Sequence, residues 1–208
     1  KINEILINKD SKRIPVSKLE RQKRKGKYPY YGAAGIIDYV NDWIFEGKHL
    51  LIAEDGSVLT KQNKPVLQLV DGKFWVNNHA HVLTCKDESD LNYIFYALKN
   101  INISSLITGS VQLKLNQDNL NKIEVPYLEN KEQRKNIGLN LKRFDLKIEY
   151  NQIINHTINE ITELLFKSWF INFETTSSGT IPKDWVKGCI GDLVIRSKEK
   201  IGNNPNKV

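Results

Sequence analysis

Asp38 followed by Glu46-Gly47-Lys48 carries the residue types with which many nucleases hold magnesium beside a scissile phosphate. That chemistry needs its side chains on adjacent core strands, whereas Asp38-Tyr39-Val40-Asn41-Asp42 reads as a turn. His79, His81 and Cys85 add ligand-type side chains, yet no acidic or cysteine partner stands at the spacing of a metal site. No Gly-x-x-x-x-Gly-Lys-Ser/Thr loop is present to cradle a nucleotide. The Asn/Asp-Pro-Pro-aromatic motif with which a methyltransferase stacks its flipped base is also missing. The inventory therefore predicts no catalytic residue, no metal ligand set and no cofactor on this chain. Cys85 and Cys189 lie far apart and share no CxxC spacing, which argues against a disulfide framework or a zinc finger.

A second chemistry is written in charge. The 208 residues carry a formal net charge of +7. Residues 1–27 hold ten Lys or Arg against Glu4, Asp10 and Glu20, so the whole surplus lies there, and the remainder carries 21 of each sign. Lys18, Arg21, Lys23, Arg24, Lys25 and Lys27 crowd together at its peak. Such a block suits phosphate, because each phosphate it neutralises releases counterions. It also suits a solvated loop that keeps a protein soluble, and charge by itself does not choose between the two. No apolar run reaches the ~18 residues of a membrane span, and the polar, basic N-terminus lacks a signal-peptide core. A cytoplasmic location is the expectation. A chain of this length without methionine suggests a fragment or a trimmed terminus.

The elements that must position these residues fall into three textures. Residues 1–128 carry short apolar runs broken by Gly, Asn, Asp and Pro, the pattern of a mixed α/β globule. Strands are predicted at Leu50–Ala53, Val66–Val70, Phe74–Val76 and His81–Cys85, with Asp71-Gly72 as a hairpin turn and a helix at Leu91–Lys99. Residues 129–173 read as one long helix. Ile137, Leu141, Phe144, Ile148, Asn151, Asn155, Ile158, Thr162, Leu165 and Trp169 are spaced alternately by four and three, the seam of a coiled coil. Helix over Gln133–Phe170 is a rod of roughly 55–60 Å at ~1.5 Å per residue, whose apolar stripe needs a partner helix. Asn151 and Asn155 would fix its register at some cost in stability. The other reading is an amphipathic helix lying on the globule. Residues 174–208 begin with the linker-like Thr175–Gly179 and then resemble the opening of a further domain.

These features gather around one resemblance. Tyr28-Pro29-Tyr30-Tyr31-Gly32-Ala33-Ala34-Gly35-Ile36-Ile37-Asp38-Tyr39 is similar to the opening block of target-recognition domains in type I restriction-modification specificity subunits. Ala53-Glu54-Asp55-Gly56-Ser57 and Phe74-Trp75-Val76-Asn77-Asn78-His79-Ala80-His81-Val82-Leu83 resemble the next two blocks in the same order. Thr108-Gly109-Ser110-Val111-Gln112 resembles the Gly-Ser turn before the last strand. Leu164–Phe170 resembles the end of the spacer helix, and Ile181-Pro182…Trp185…Gly191-Asp192 the start of a following recognition domain.

The resemblance implies an α/β target-recognition domain followed by a long coiled-coil-forming helix, in a subunit that reads double-stranded DNA and performs no catalysis. It implies methyltransferase subunits and restriction-translocase subunits as partners, with each recognition domain reading half of a bipartite target. The long helix would pair either with a second repeat in one polypeptide or across a homodimer, the latter suiting a palindromic site. Alternatives are a magnesium-dependent nuclease and a coiled-coil assembly module without base readout. Lys12, Arg13, Arg21, Lys23, Arg24, Lys25 and Lys27 would meet phosphate. Asn77, Asn78, His79, Gln112 and Lys114 carry the chemistry that reads base edges, or, for either His79 or His81, a buried hydrogen-bonded role. Tyr31, Gly32, Ser57, Lys61 and Ser110, within or beside the matching blocks, complete the expected DNA surface.

Overall fold

The structure, a computed structural model, describes residues 1–174, 180–183, 185–186 and 188–194. The linker-like Thr175–Gly179 stretch lies outside the described residues, as do Asp184, Lys187 and residues 195–208. Two units divide the chain, Lys1–Glu149 and Tyr150–Val208. In order, the elements are α1 (Ile2–Ile5), β1 (Leu6–Asn8), α2 (Lys18–Lys23), β2 (Lys25–Gly32), β3 (Gly35–Val40), β4 (Phe45–Glu46), β5 (His49–Ala53), β6 (Leu67–Val70), β7 (Lys73–Val76) and β8 (Ala80–Cys85). Then follow α3 (Asp90–Leu98), α4 (Gln117–Lys122) and α5 (Lys131–Phe166), with α6 (Ile190–Leu193) in the second unit. No described helix is long and apolar enough to cross a membrane.

Two four-stranded sheets build the first unit, ordered β1-β8-β5-β6 and β3-β2-β7-β4. Strand β5 explains the layering. All five of its residues are buried, and a strand sends successive side chains to opposite faces. Leu50 and Ile52 enter a core shared with Leu91, Ile94 and Leu98 of α3, while Leu51 packs among Phe45, Phe74, Val76 and Val82 between the sheets. The first sheet is thus covered by helices on one face and by the second sheet on the other.

The strands at 50–53, 66–70, 74–76 and 81–85 form within a residue or so of expectation, and so does α3. The hairpin at Asp71-Gly72 does not. The two residues turn, with Asp71 Oδ1 accepting the Gly72 N–H at 2.8 Å, but β6 pairs with β5 while β7 pairs with β2 and β4. The turn passes the chain from one sheet to the other, a distinction that turn chemistry does not encode. Asp38 likewise lies in strand β3 rather than in a turn, because β3 pairs antiparallel with β2 and sets Asp38 opposite Tyr30.

Helix α5 starts two residues before its expected bound, and Asn130 Oδ1 caps it by accepting the Gln133 N–H at 3.0 Å. It ends at Phe166 in a π-helical turn, Lys167–Ile171, closed by the Asn172 N–H on the Lys167 carbonyl. Its first turns are clamped onto α3. Arg134 donates from Nε to Asp90 Oδ1 at 2.9 Å and from Nη2 to Oδ2 at 3.0 Å, with both side chains under 10% exposed. The same guanidinium caps the Leu128 and Glu129 carbonyls and lies 4.2 Å from the Tyr127 ring centre. Lys131 pairs with Asp87, and Asp145 accepts from Tyr96 and Lys99. At Gly138 the helix comes so close that an added Cβ would stand 2.7 Å from the Tyr93 backbone nitrogen. The start of α5 therefore does lie on the globule, as the second of the two sequence readings has it. The apolar seam is a different face. Ile137, Leu141, Phe144 and Ile148 remain exposed in the first unit, as do Ile158, Leu165 and Trp169 in the second.

Removing one partner of a buried ion pair strands the other, at about 3–5 kcal/mol. Arg134→Ala should lower the melting temperature by roughly 6–20 °C on that basis. A calorimetric melt within a degree of the parent would show that the clamp contributes nothing.

Candidate nucleic-acid interface

Segments distant in sequence are knitted together by one buried polar network. His81, at the start of β8 and 1% exposed, meets Asp10 Oδ2 from Nδ1 at 2.6 Å and the Leu115 carbonyl from Nε2 at 2.7 Å. Arg13 donates from Nη1 to Glu54 Oε2 and to the Ala80 carbonyl, both at 2.7 Å. Asp10 also accepts the Val82 N–H, and Lys114 stands 3.3 Å from Glu54. Asp10, Glu54 and His81 offer ligand atoms within 4.8 Å of one another. The cationic Arg13 and Lys114 already balance those carboxylates, so the cluster is satisfied as an ion-pair network. Burial pushes the Asp10 carboxyl up, but the bonds from His81, Val82 and Asn8 outweigh it and leave the group below its ordinary value.

The network brings the reading-loop candidates together. Glu54 N–H bonds the His79 carbonyl, Leu115 N–H bonds the Glu54 carbonyl, and Gly56 N–H bonds the Leu113 carbonyl. Asp55 holds the exposed His79 ring at 2.6 Å. The loop from Thr108 to Lys114 is closed by paired bonds between its ends. Gly109 sits there at φ +88°, where a Cβ would strike the Gln112 carbonyl at 2.1 Å, so only glycine fits this turn. Ser57, Asn78, His79, Ser110, Gln112 and Lys114 are all exposed in these loops. Asn77 is buried, and its Oδ1 accepts the His79 N–H at 2.8 Å, which fixes the loop that presents Asn78 and His79.

The basic arm borders the same region. Ser17 caps α2, and Arg21, Ser17, Tyr30, Ile37, Asn77, Asn78 and His79 line an open recess of about 530 Å³. Arg21 and Lys25 converge on Asp38, at 3.1 and 2.5 Å. Arg24 lies 3.8 Å from Glu20 and over the Trp75 ring, and Lys27 lies over Tyr28. Lys12, Lys18 and Lys23 are exposed and show no partner among the described residues. Arg13 is consumed by the network beneath the loops rather than presented on their surface. Tyr31 packs edge-on against Phe74, and Gly32 is buried beside Ile37. Lys61 stands apart, in the Thr60–Lys64 turn, whose Lys64 reaches Asn100.

The nuclease-like set is not assembled. Asp38 on β3 and Glu46 on β4 occupy opposite edges of the second sheet, and Lys48 donates to Asn92 of α3. Sequence reasoning missed both the Asp10–Arg13–Glu54–His81 network and the Asp38 fork. Only the reading that one of His79 and His81 is buried and hydrogen-bonded signalled any of it.

A sequence model described as the type I restriction modification DNA specificity domain matches residues 1–163. The chain belongs to this family. Its relatives include a type I restriction enzyme specificity subunit assigned in Haemophilus influenzae, 39% identical over 101 residues, covering 49% of this chain and 26% of the relative. The MjaIX specificity subunit of Methanocaldococcus jannaschii is 28% identical over 171 residues, covering 74% of this chain and 39% of the relative. The EcoprrI specificity subunit of Escherichia coli is 26% identical over 127 residues, covering 61% and 30%. In fold, the chain is similar to the S subunit of a type I restriction-modification system from M. genitalium, with a TM-score of 0.63 at 19% identity over 85% of this chain and 48% of that one. The chain thus spans less than half the length of each of these four proteins.

The network makes a pH-resolved prediction. Asp10 sits below its ordinary value of 3.8 in the folded state, so it contributes stability above that pH that is lost as pH falls through the lowered value. Asp10→Asn should cost about 2 kcal/mol at neutral pH. The gap to the parent should close below pH ~3.8. Urea melts at neutral and acid pH measure it, and a gap independent of pH would refute the role given to the charge.

Proposed function

We propose that this chain reads one half of a bipartite DNA target, without catalysis, as part of a type I restriction-modification specificity subunit. The observation that carries this reading is the convergence of loops 54–57, 77–79 and 108–114 beside the basic arm, on a chain of the specificity-domain family. Phosphate contacts hold a protein on the duplex and base contacts specify the sequence. Lys12, Lys18 and Lys23 are free to do the first. Asn78, His79, Ser110 and Gln112, exposed on loops fixed from beneath, have the donors and acceptors for the second.

In this reading residues 1–128 recognise DNA, 129–173 pair with another helix of the same kind, and 174–208 lead into a further domain. The exposed seam from Ile137 to Trp169 is apolar enough to require that pairing, whether within one polypeptide or across a homodimer. Methyltransferase and restriction subunits supply the chemistry.

Replacing Lys12, Lys18 and Lys23 together by Gln should weaken duplex binding. The plot of log affinity against log salt should become shallower by up to about 2.7. Unchanged binding in fluorescence titrations would leave only an assembly role. Replacing Asn151 and Asn155 together by Leu should raise the melting temperature of the paired helices and broaden the masses seen by light scattering. Unchanged mass and melting would place both residues off the seam.

A further inference from the structure

Ten basic residues in the first 27 overstate the charge that the arm can present, because Glu54 takes Arg13 beneath the loops and a second acid from outside the arm, Asp38, reaches into its surface. Asp38 projects from edge strand β3 into a fork of three donors. Lys25 Nζ stands 2.5 Å from Oδ1, the Tyr39 N–H donates to the same oxygen at 2.9 Å, and Arg21 Nε donates to Oδ2 at 3.1 Å. The carboxylate is 14% exposed, whereas Lys25 is 59% exposed. A basic side chain on the surface is here tied to an anion that the fold itself supplies.

The two cations are not held equally. Arg21 also donates to the Val16 carbonyl at 2.5 Å and lies over the Tyr30 ring, 4.9 Å from its centre. Those contacts keep Arg21 in place whether or not Asp38 is charged. Lys25 has Asp38 as its one partner among the described residues. The Lys25 and Arg21 contacts and the Tyr39 N–H hold the Asp38 carboxyl down at about 2, so it stays anionic throughout the neutral range.

We propose that Asp38 is the internal counter-ion of the DNA-binding arm, a specificity-determining residue that withholds Lys25 from the phosphate backbone and so restrains sequence-independent binding. The inference rests on the DNA-reading role proposed above. Phosphate contacts are blind to sequence, and a protein that makes fewer of them discriminates more between its target and the surrounding duplex. Asp38 removes one such contact, while the loops beside the recess retain the base-reading groups.

The full 208-residue chain is titrated with a short duplex of arbitrary sequence across a range of salt. Asp38→Asn drops the charge and keeps one acceptor oxygen, enough for the Tyr39 N–H, while the Val16 carbonyl and the Tyr30 ring still hold Arg21. It should bind the duplex several-fold more tightly at low salt, with a salt slope steeper by about 0.9, one phosphate. The gain should shrink by about threefold between roughly 50 and 200 mM salt. Adding Lys25→Gln to Asp38→Asn should return the slope to that of the parent. Lys25→Gln alone should weaken binding far less than Lys23→Gln alone, a comparison that stands even if Asp38→Asn fails to fold. An unchanged or weakened affinity for folded Asp38→Asn, or equal losses for the two lysine variants, overturns the counter-ion role. If the Lys12, Lys18 and Lys23 triple variant also binds as the parent does, the DNA-reading proposal itself has failed. If that variant loses affinity while Asp38→Asn does not gain it, only the counter-ion role has.

Discussion

The ion-pair network of Asp10, Arg13, Glu54 and His81 is the constraint on which the proposed reading surface depends. Its members come from the N-terminal segment, the end of β5 and the start of β8, and it binds the Leu115 carbonyl beyond the 108–114 loop. A buried polar network is costly when half satisfied and geometrically exacting when complete. Here each member finds partners, so three loops that carry no regular structure are held at fixed separations. The surface can then present polar side chains without relying on the loops to order themselves.

The second constraint is the clamp between α3 and α5. A bidentate guanidinium and carboxylate give direction as well as attraction, because the planar fork accepts its partner in one orientation. Gly138 allows the two helices to approach backbone to backbone, and Asp145 extends the contact by almost two further turns. The packed face and the exposed seam are separate, so the start of α5 lies on its own globule and leaves Ile137, Leu141, Phe144 and Ile148 uncovered.

Local features of the fold were legible wherever local chemistry decides them. Short apolar runs broken by turn residues marked β5 and β8, and the four-three apolar spacing without proline marked α5 to within a few residues. Asp71-Gly72 was legible as a turn, but its destination depends on which sheet receives β7, and no local pattern carries that. The basic arm was legible as a count of charges. Its effective charge was not, since Asp38 meets Lys25 only once β2 and β3 are paired. Arg13 misled for the same reason. In sequence it belongs to the arm, and in space it lies beneath the loops, paired with Glu54.

The separation between the loop network and the helix clamp has an evolutionary consequence. No described residue in loops 54–57, 77–79 or 108–114 shares a hydrogen bond or ion pair with α5. Substitutions at sites without shared partners combine additively in free energy. New residues at Asn78, His79, Ser110 or Gln112 can therefore be sampled one at a time while Arg134, Gly138 and Asp145 continue to set the helix. In the DNA-reading role proposed for these loops, what is read can drift while the helix face stays constant, and a lineage of such chains can diversify its vocabulary without rebuilding its grammar.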